Sequence, residues 1–512
     1  MDFISAIFYI AAAAAALAVV ALVSSLLIRI FVGKSIRNGD YPPVVGTVFD
    51  QLFYLNRLYD YQTEMAKKHK TWRLLAPDQS EVYTADARNV EYILKSKFYN
   101  FNKEQYNQDI MGDLFGQGIF VVDGDKWRQQ KKLARFEFST RVLRDYSCSV
   151  FRQKAEKLVK TVQEFSKHNL SFDVQALLMR YTLDSIFTVG FGVDLNCLEE
   201  SNAEGNEFIK AFDDSNELVY RRYVDPIWKI KRYLNICGEA TLKKNIGLIH
   251  SFVDRVIRTK REQMEKEQND NVKDLLSRFL VESKKDPETM NNQYLRDIIL
   301  SFMVAGKDTT ANALSWFLYM LCKNTLIQEK IAQEVRKFCS RNDATVSEFV
   351  ESITDEALDE MHYLHATITE TLRLYPAVPV DGRCAETDDT LPDGYRLKRG
   401  DGVYYIAYAM GRMQYIWGDN AEEFKPERWL KNGVFQPESP FKFVAFNAGP
   451  RTCLGKDISY RQMKIVSAAL LRFFRFRLSD ESNIVTYRTM LTLHISGSLN
   501  VYAEPRTNLL KN

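Results

Sequence analysis

The chain has 512 residues, of which 46% are hydrophobic and 26% charged. That is ordinary globular composition and excludes a wholly disordered or low-complexity protein. With 69 basic and 66 acidic side chains the net charge is +3, so bulk electrostatics gives no footprint for nucleic acid. The seven cysteines are odd in number and form no CxxC pair, which points to reduced thiols and a cytosol-facing body rather than a disulfide scaffold.

The segment from Phe3 to Ile28 carries no charged side chain in 26 residues, and about 20 suffice to cross a bilayer as a helix. Positive charges follow it, at Arg29, Lys34 and Arg37. A cleaved signal would have a shorter apolar core preceded by basic residues, and positive charge stays on the cytoplasmic side. Residues 1–33 are therefore expected to be an uncleaved membrane anchor. Residues 34–48 follow as a basic, proline-bearing hinge, because Pro42 and Pro43 fix φ and lack N–H donors. Residues 49–512 are expected to form one large domain, mainly α with a small β region.

Within that body the pattern predicts helices over Tyr146–Phe165 and Asn292–Cys322, and short strands at Trp72–Leu75, Glu81–Thr84, Tyr395–Leu397 and Val403–Ile406. Gly112–Gly118 reads as a loop over the active site, Lys260–Lys266 as a charged helix surface and Glu265–Lys285 as a polar loop. Ala305-Gly306-Lys307-Asp308-Thr309-Thr310 interrupts the second long helix. Glycine costs about 1 kcal/mol against alanine there, and threonine competes for backbone carbonyls. His362 and His365 can share a helix face but lack a third ligand at zinc-like spacing, so they read as ordinary helix residues.

The strongest local signal is Phe446-Asn447-Ala448-Gly449-Pro450-Arg451-Thr452-Cys453-Leu454-Gly455, followed by an apolar helical run. A cysteine at a helix start sits among free N–H groups and the positive end of the dipole, which favour thiolate. Gly449 permits a tight turn and Gly455 leaves room for a flat ligand close to the backbone. Phe446 can cover the sulfur, and Arg451 can pair with an anionic group of the ligand. Taken alone, a cysteine such as Cys453 is more often a buried free thiol in a loop.

The whole string matches Phe-x-x-Gly-x-Arg-x-Cys-x-Gly at every fixed position and resembles the haem-binding loop of the cytochrome P450 family. That resemblance implies haem b with Cys453 as the axial thiolate on iron. It extends to Ala305, Gly306, Asp308 and Thr309 as the oxygen-activation segment, with Thr309 and Asp308 catalytic in proton delivery and Lys307 at a variable position. It also implies a structural triad of Glu370, Arg373 and Arg428, the last within Pro426-Glu427-Arg428-Trp429. Trp127 and Lys131 stand where the family shows Trp-x-x-x-Arg, so a lysine replaces the usual propionate-pairing arginine. Arg383 is a second propionate partner by the same likeness.

The resemblance covers essentially the whole chain and implies a monooxygenase that uses O2. Electrons would come from a separate NADPH-dependent flavoprotein reductase, NADPH thus acting only indirectly. Arg128, Lys131, Lys132 and Arg135 could meet that partner or form a solvated helix face. Tyr375–Ala385, Lys442–Gly449 and Phe136–Ser139 resemble the plant clan of fatty-acid ω-hydroxylases. That implies a long-chain fatty acid hydroxylated at or near its methyl end, in the endoplasmic reticulum membrane with the catalytic domain in the cytosol. By family position Phe101, Ile119, Phe120, Phe302, Ala305, Val378, Val380 and Leu491 would line the cavity, or else pack in the core. A terpenoid or sterol hydroxylase of the same fold is the alternative, followed by a reductase-independent haem rearrangement enzyme or a haem carrier. The intact Asp308-Thr309 pair argues against the last two.

Overall fold

The computed structural model describes residues 3–77, 79–138, 141–199, 203–225, 227–267, 274–338, 345–482 and 484–506. Ser139, named above, lies outside them.

The uncharged N-terminal run forms helix α1 (Phe3–Phe31). Its stretch Tyr9–Phe31 has a mean hydropathy of 2.5 with none of its most apolar window buried against the protein. At about 1.5 Å per residue it is long enough to cross a hydrocarbon core, which makes it a candidate membrane anchor. The following segment is strapped to the body by a buried arginine. Arg73 donates from Nε to the Pro42 carbonyl at 2.8 Å, from Nη1 to Lys34 at 2.8 Å and from Nη2 to Ser35 at 2.9 Å. The proline pair is thus only part of what stiffens the hinge; three charge-assisted hydrogen bonds hold it as well.

The body is built from α2 (Glu104–Phe115), α3 (Gly124–Phe138), α4 (Arg141–Lys167), α5 (Val174–Phe191), α6 (Ala203–Val224) and α7 (Gly238–Glu267). It continues through α8 (Leu275–Lys285), α9 (Asn292–Gly306), α10 (Asp308–Lys323), α11 (His362–Leu374) and α12 (Lys456–Phe473). The core has α4 against α5 and α12, α10 against α5 and α11, and α6 lying along α7. α5 shows why it is central: it is apolar nearly all round and almost every residue is buried, the signature of a helix with protein on every side. A six-stranded sheet lies to one side, in the order Val44–Thr47, Thr71–Leu75, Ser80–Thr84, Gly402–Tyr405, Asp381–Ala385, Phe101–Asn102.

The expected strands all form, within a residue or so of their predicted ends, as does the helix around Tyr146–Phe165. The long helix breaks where glycine and threonine meet: α9 ends at Gly306 and α10 begins at Asp308. Two loop readings fail. Residues 275–285 are helix α8, whose Leu275, Leu276, Phe279 and Leu280 are buried on one face while Asp274 caps the Ser277 N–H at 2.9 Å. Gly112–Phe115 complete α2, and only residues 116–118 form a loop, which Gly116 opens with φ +54°. In both, an amphipathic face buried by the tertiary structure outweighs the local polarity.

Candidate active site

The loop before α12 is shaped by two residues in the left-handed region, Asn447 (φ +58°) and Gly449 (φ +62°). A Cβ on Gly449 would lie 1.9 Å from the Leu94 carbonyl oxygen, so close backbone approach requires glycine here. The Cys453 N–H donates to the Phe446 carbonyl at 2.9 Å. Cys453 precedes the first helical residue by three positions, and Gly455 is the cap. The Phe446 ring lies 5.1 Å from that of Tyr460. A Cβ on Gly455 would have only the Cys453 sulfur near it, at 3.9 Å.

Desolvation by the surrounding protein raises the Cys453 thiol above its ordinary value, against the pull of the Gly455 N–H, Lys456 and Lys131, although the residue is open to solvent on one side. A coordinated metal ion would deprotonate a ligating thiol outright.

Beside the loop sits a buried charge cluster that sequence reasoning found only in part. Arg383 is 2% exposed and donates from Nη1 to Asp381 at 3.2 Å and to the Gly382 carbonyl at 2.8 Å. Its Nε and Nη2 have no partner. Arg451 has partners within the protein: it pairs with Asp123 and donates to the Val122 carbonyl at 3.0 Å. Its guanidinium also lies 4.5 Å from the Trp127 ring centre, a cation–π contact. Lys103 pairs with Asp381, which also accepts from Tyr405 and from Asn447 Nδ2 at 3.1 Å. Lys103, Asp123, Asp381, Tyr405 and Asn447 were not among the expected site residues; their only sequence signal is a scatter of polar side chains.

Burial and the neighbouring Arg383 push the Lys103 ammonium down to about 8. Burial with Arg135 and Arg451 pushes Lys131 down to about 8. Burial and Arg383 push Arg451 down to about 10. Burial is the largest cause in all three, and crowding of cations adds to it: Arg383, Arg451 and Lys103 face two acids, Asp381 and Asp123, and Lys131 adds a further positive charge. Lys131 lies over Trp127 at 5.3 Å. It shares a shallow concavity with Arg128, Lys132, Arg135 and Phe136; Arg128 is held by Asp125 at 2.5 Å.

At the helix break the Thr309 hydroxyl donates to the Ala305 carbonyl. A Cβ on Gly306 would lie 2.6 Å from Cδ1 of Ile186, so the broken turn presses on α5. Lys307, set aside as variable, is fully buried and pairs with Asp213 at 2.6 Å and with Asp308. Asn216 Nδ2 donates to the other Asp308 oxygen at 2.8 Å.

The triad assembles. Arg373 grips both oxygens of Glu370, and Arg428 Nε reaches it at 3.5 Å. Glu370 further accepts from Trp429 Nε1 at 2.9 Å and the Lys425 N–H at 2.8 Å. The expected lining residues divide. Phe302 is 8% exposed and packs on Phe138 and Phe279 at 5.5 and 5.8 Å, and Phe101 pairs along the sheet edge with Ala385. Both side chains are buried. Ile119 lends its carbonyl to Arg451 at 3.4 Å. Phe120 and Val378 are exposed, while Ala305, Val380 and Leu491 are half-buried. His365 is stacked between Phe435 and Tyr460 at 4.1 and 4.3 Å, and among the described residues no cluster of acids, histidines and cysteines could hold a metal ion.

A mostly helical body with a cysteine loop before a long buried helix, and a second long helix broken at Lys307, defines the class. The family model "Cytochrome P450" matches residues 40–499. Cytochrome P450 704C1 of Pinus taeda is 50% identical over 502 residues, covering 95% of this chain and 97% of that protein. Cytochrome P450 704B1 of Arabidopsis thaliana is 42% identical, with 91% and 94% covered, and Cytochrome P450 86B1 of the same plant 37% identical, with 93% and 89%. The chain belongs to the cytochrome P450 family and is a monooxygenase. The family uses haem b with an axial cysteine thiolate, a redox partner reductase, O2 and a hydrophobic substrate.

The residues present fit that group. Two buried donors of Arg383 stand unpaired where a carboxylate would satisfy them, as buried polar groups require. The excess of cations in the same cluster suits the two propionates of haem b.

Proposed function

We propose that Cys453 would hold the haem iron through its thiolate, that Arg383, Arg451, Lys103, Lys131 and Trp127 would hold the haem carboxylates, and that the protein hydroxylates long-chain fatty acids at or near the ω end. The observation that carries the cofactor assignment is the unpaired pair of buried Arg383 donors beside the loop of Cys453. When bound, thiolate-ligated haem activates dioxygen so that one oxygen atom enters a C–H bond. The overall balance is RH + O2 + NADPH + H⁺ → ROH + H2O + NADP⁺.

The protein's own share is positioning, exclusion of water and proton supply. Thr309 offers a hydroxyl proton at the break between α9 and α10, and Asp308 replenishes it through water. Glu370, Arg373 and Arg428 hold the backbone that leads into the cysteine loop. Arg128, Lys131, Lys132 and Arg135 present positive charge to an acidic face of the reductase. Helix α1 places the body on the cytosolic side of the endoplasmic reticulum.

The substrate class rests on the likeness of Tyr375–Ala385 and Lys442–Gly449 to the plant fatty-acid ω-hydroxylase clan. The test is incubation of microsomes holding the protein, reductase and NADPH with a panel of fatty acids of graded chain length, read by mass spectrometry. ω- or near-ω-hydroxy acids are expected. No product from any acid, together with turnover of a terpenoid or sterol panel, would overturn the fatty-acid reading and leave the monooxygenase standing.

A further inference from the structure

Asp308 lies 0% exposed at the start of α10, and both of its carboxylate oxygens are engaged. Oδ1 meets the Lys307 ammonium, and Oδ2 accepts from Asn216 Nδ2 at 2.8 Å. The same Lys307 ammonium reaches Asp213 Oδ1 at 2.6 Å. Asp213 and Asn216 are one turn apart on α6, so they face the same way. One buried cation thus bridges two acids on different helices. A buried ammonium needs such partners to remain charged: burial alone would lower Lys307, and the two carboxylates raise it well above its ordinary value instead. The Lys307 ammonium also lies 5.6 Å from the centre of the Phe212 ring.

The surroundings are accounted for. His494, on the hairpin Tyr487–Arg488/His494–Ile495, is buried near the pair; burial holds it below its ordinary value, against the pull of Asp308 and Asp213. Arg488 of that hairpin pairs with Glu217 on α6 and stands 3.9 Å from Asp214. The cluster is built on the break itself, since Lys307 is the residue between the two helices.

We propose that Lys307 is a positioning residue that holds the Asp308 carboxylate against α6 through Asp213 and Asn216, so that proton supply at Thr309 depends on where α6 sits. This rests on the reading of Asp308 and Thr309 as the proton path. With both oxygens engaged, Asp308 must exchange one partner for water before it can pass a proton. A shift of α6 would supply that exchange, because Asn216 moves with it. Lys307 keeps the carboxylate from swinging away meanwhile.

The test uses full-length protein with reductase and NADPH, comparing Lys307→Met, Lys307→Arg, Asp213→Asn and Asp308→Asn. Readouts are product formed per NADPH consumed, the solvent isotope effect, the reduced carbon monoxide spectrum, and amide hydrogen exchange of peptides across 203–224. Lys307→Met should lower product per NADPH by about 10-fold, a part of what positioned proton transfer is worth, with peroxide appearing as O2 + NADPH + H⁺ → H2O2 + NADP⁺. It should enlarge the solvent isotope effect and speed exchange in α6. Lys307→Arg should restore all three, since a guanidinium can bridge two carboxylates. Should Lys307→Met fail to take up haem, Asp213→Asn carries the test: it leaves Lys307 paired with Asp308, removes the ion pair of Lys307 to α6 and keeps the Asn216 hydrogen bond as the remaining tie, and should show the same changes to a smaller degree. Wild-type coupling and wild-type exchange in the variant that folds overturn the proposal. Wild-type coupling in Asp308→Asn instead overturns the parent reading of the proton path.

Discussion

Arg373 donates from Nε to Oε2 of Glu370 at 2.7 Å and from Nη2 to Oε1 at 2.8 Å, with both side chains fully excluded from solvent. The pair is one turn apart on α11, yet what it holds lies far along the chain. Arg373 also reaches the carbonyls of Gly411, Ala421 at 2.5 Å and Glu423 at 2.9 Å. Glu370 takes the Lys425 N–H and the Trp429 indole. A local contact usually worth a few tenths of a kcal/mol here organises the chain that runs on to Cys453.

Arg373→Ala would take from buried Glu370 its two-point partner and leave Arg428 at 3.5 Å as its nearest cation; breaking a buried pair in this way costs about 3–5 kcal/mol. We expect a protein that accumulates poorly and binds little haem. Thermal unfolding and haem content per chain check this. A variant with wild-type melting and full haem content would show the pair to be dispensable.

Cys453→Ser should abolish the strongly red-shifted Soret band of the reduced carbon monoxide complex, because that band reports a thiolate opposite the gas. Persistence of the band in the variant would move the ligand assignment elsewhere.

Thr309→Ala should keep the carbon monoxide spectrum but release more peroxide per NADPH. The hydroxyl is held by the Ala305 carbonyl, so its loss removes a proton donor without opening the core. Positioned acid–base help is typically worth 10²–10⁴-fold, and water replaces part of it. Coupling as tight as the wild type would reduce the segment to a helix irregularity.

Removal of residues 2–32 should shift the protein at least partly from the membrane pellet to the soluble fraction and leave haem uptake intact. The Arg73 clamp begins at Lys34, so the strap survives the cut. Complete retention in the pellet would count against α1 as the principal anchor.

Burial between aromatic rings and beside Lys464 pushes His365 down to about 3. The folded protein therefore holds it neutral while the unfolded chain binds a proton below about pH 6.5. Stability falls as pH drops from about 6.5 toward 3, by up to about 1.4 kcal/mol per pH unit from this group. Melting temperatures of the wild type and His365→Phe between pH 7 and 4.5 check the sign: the variant should lose less. Parallel curves would show that the imidazole is not held neutral.

The sequence alone carried whatever is written in contiguous residues. The uncharged run that becomes α1, the helix break at Gly306-Lys307-Asp308 and the ten-residue loop around Cys453 each depend on neighbours along the chain, where propensity and turn chemistry act. It read residues 275–285 wrongly because the apolar face of α8 has meaning only once α5 and α7 cover it. It also passed over Lys307, since one lysine in a motif reveals nothing of Asp213, 94 residues away. Lys103 and Asp381 are 278 residues apart, and Arg451 and Asp123 are 328 apart. Only tertiary structure brings such charges into a low-dielectric site, where each must find a partner or leave a donor unpaired. That requirement picks out Arg383 beside the cysteine loop and Lys307 beneath α6.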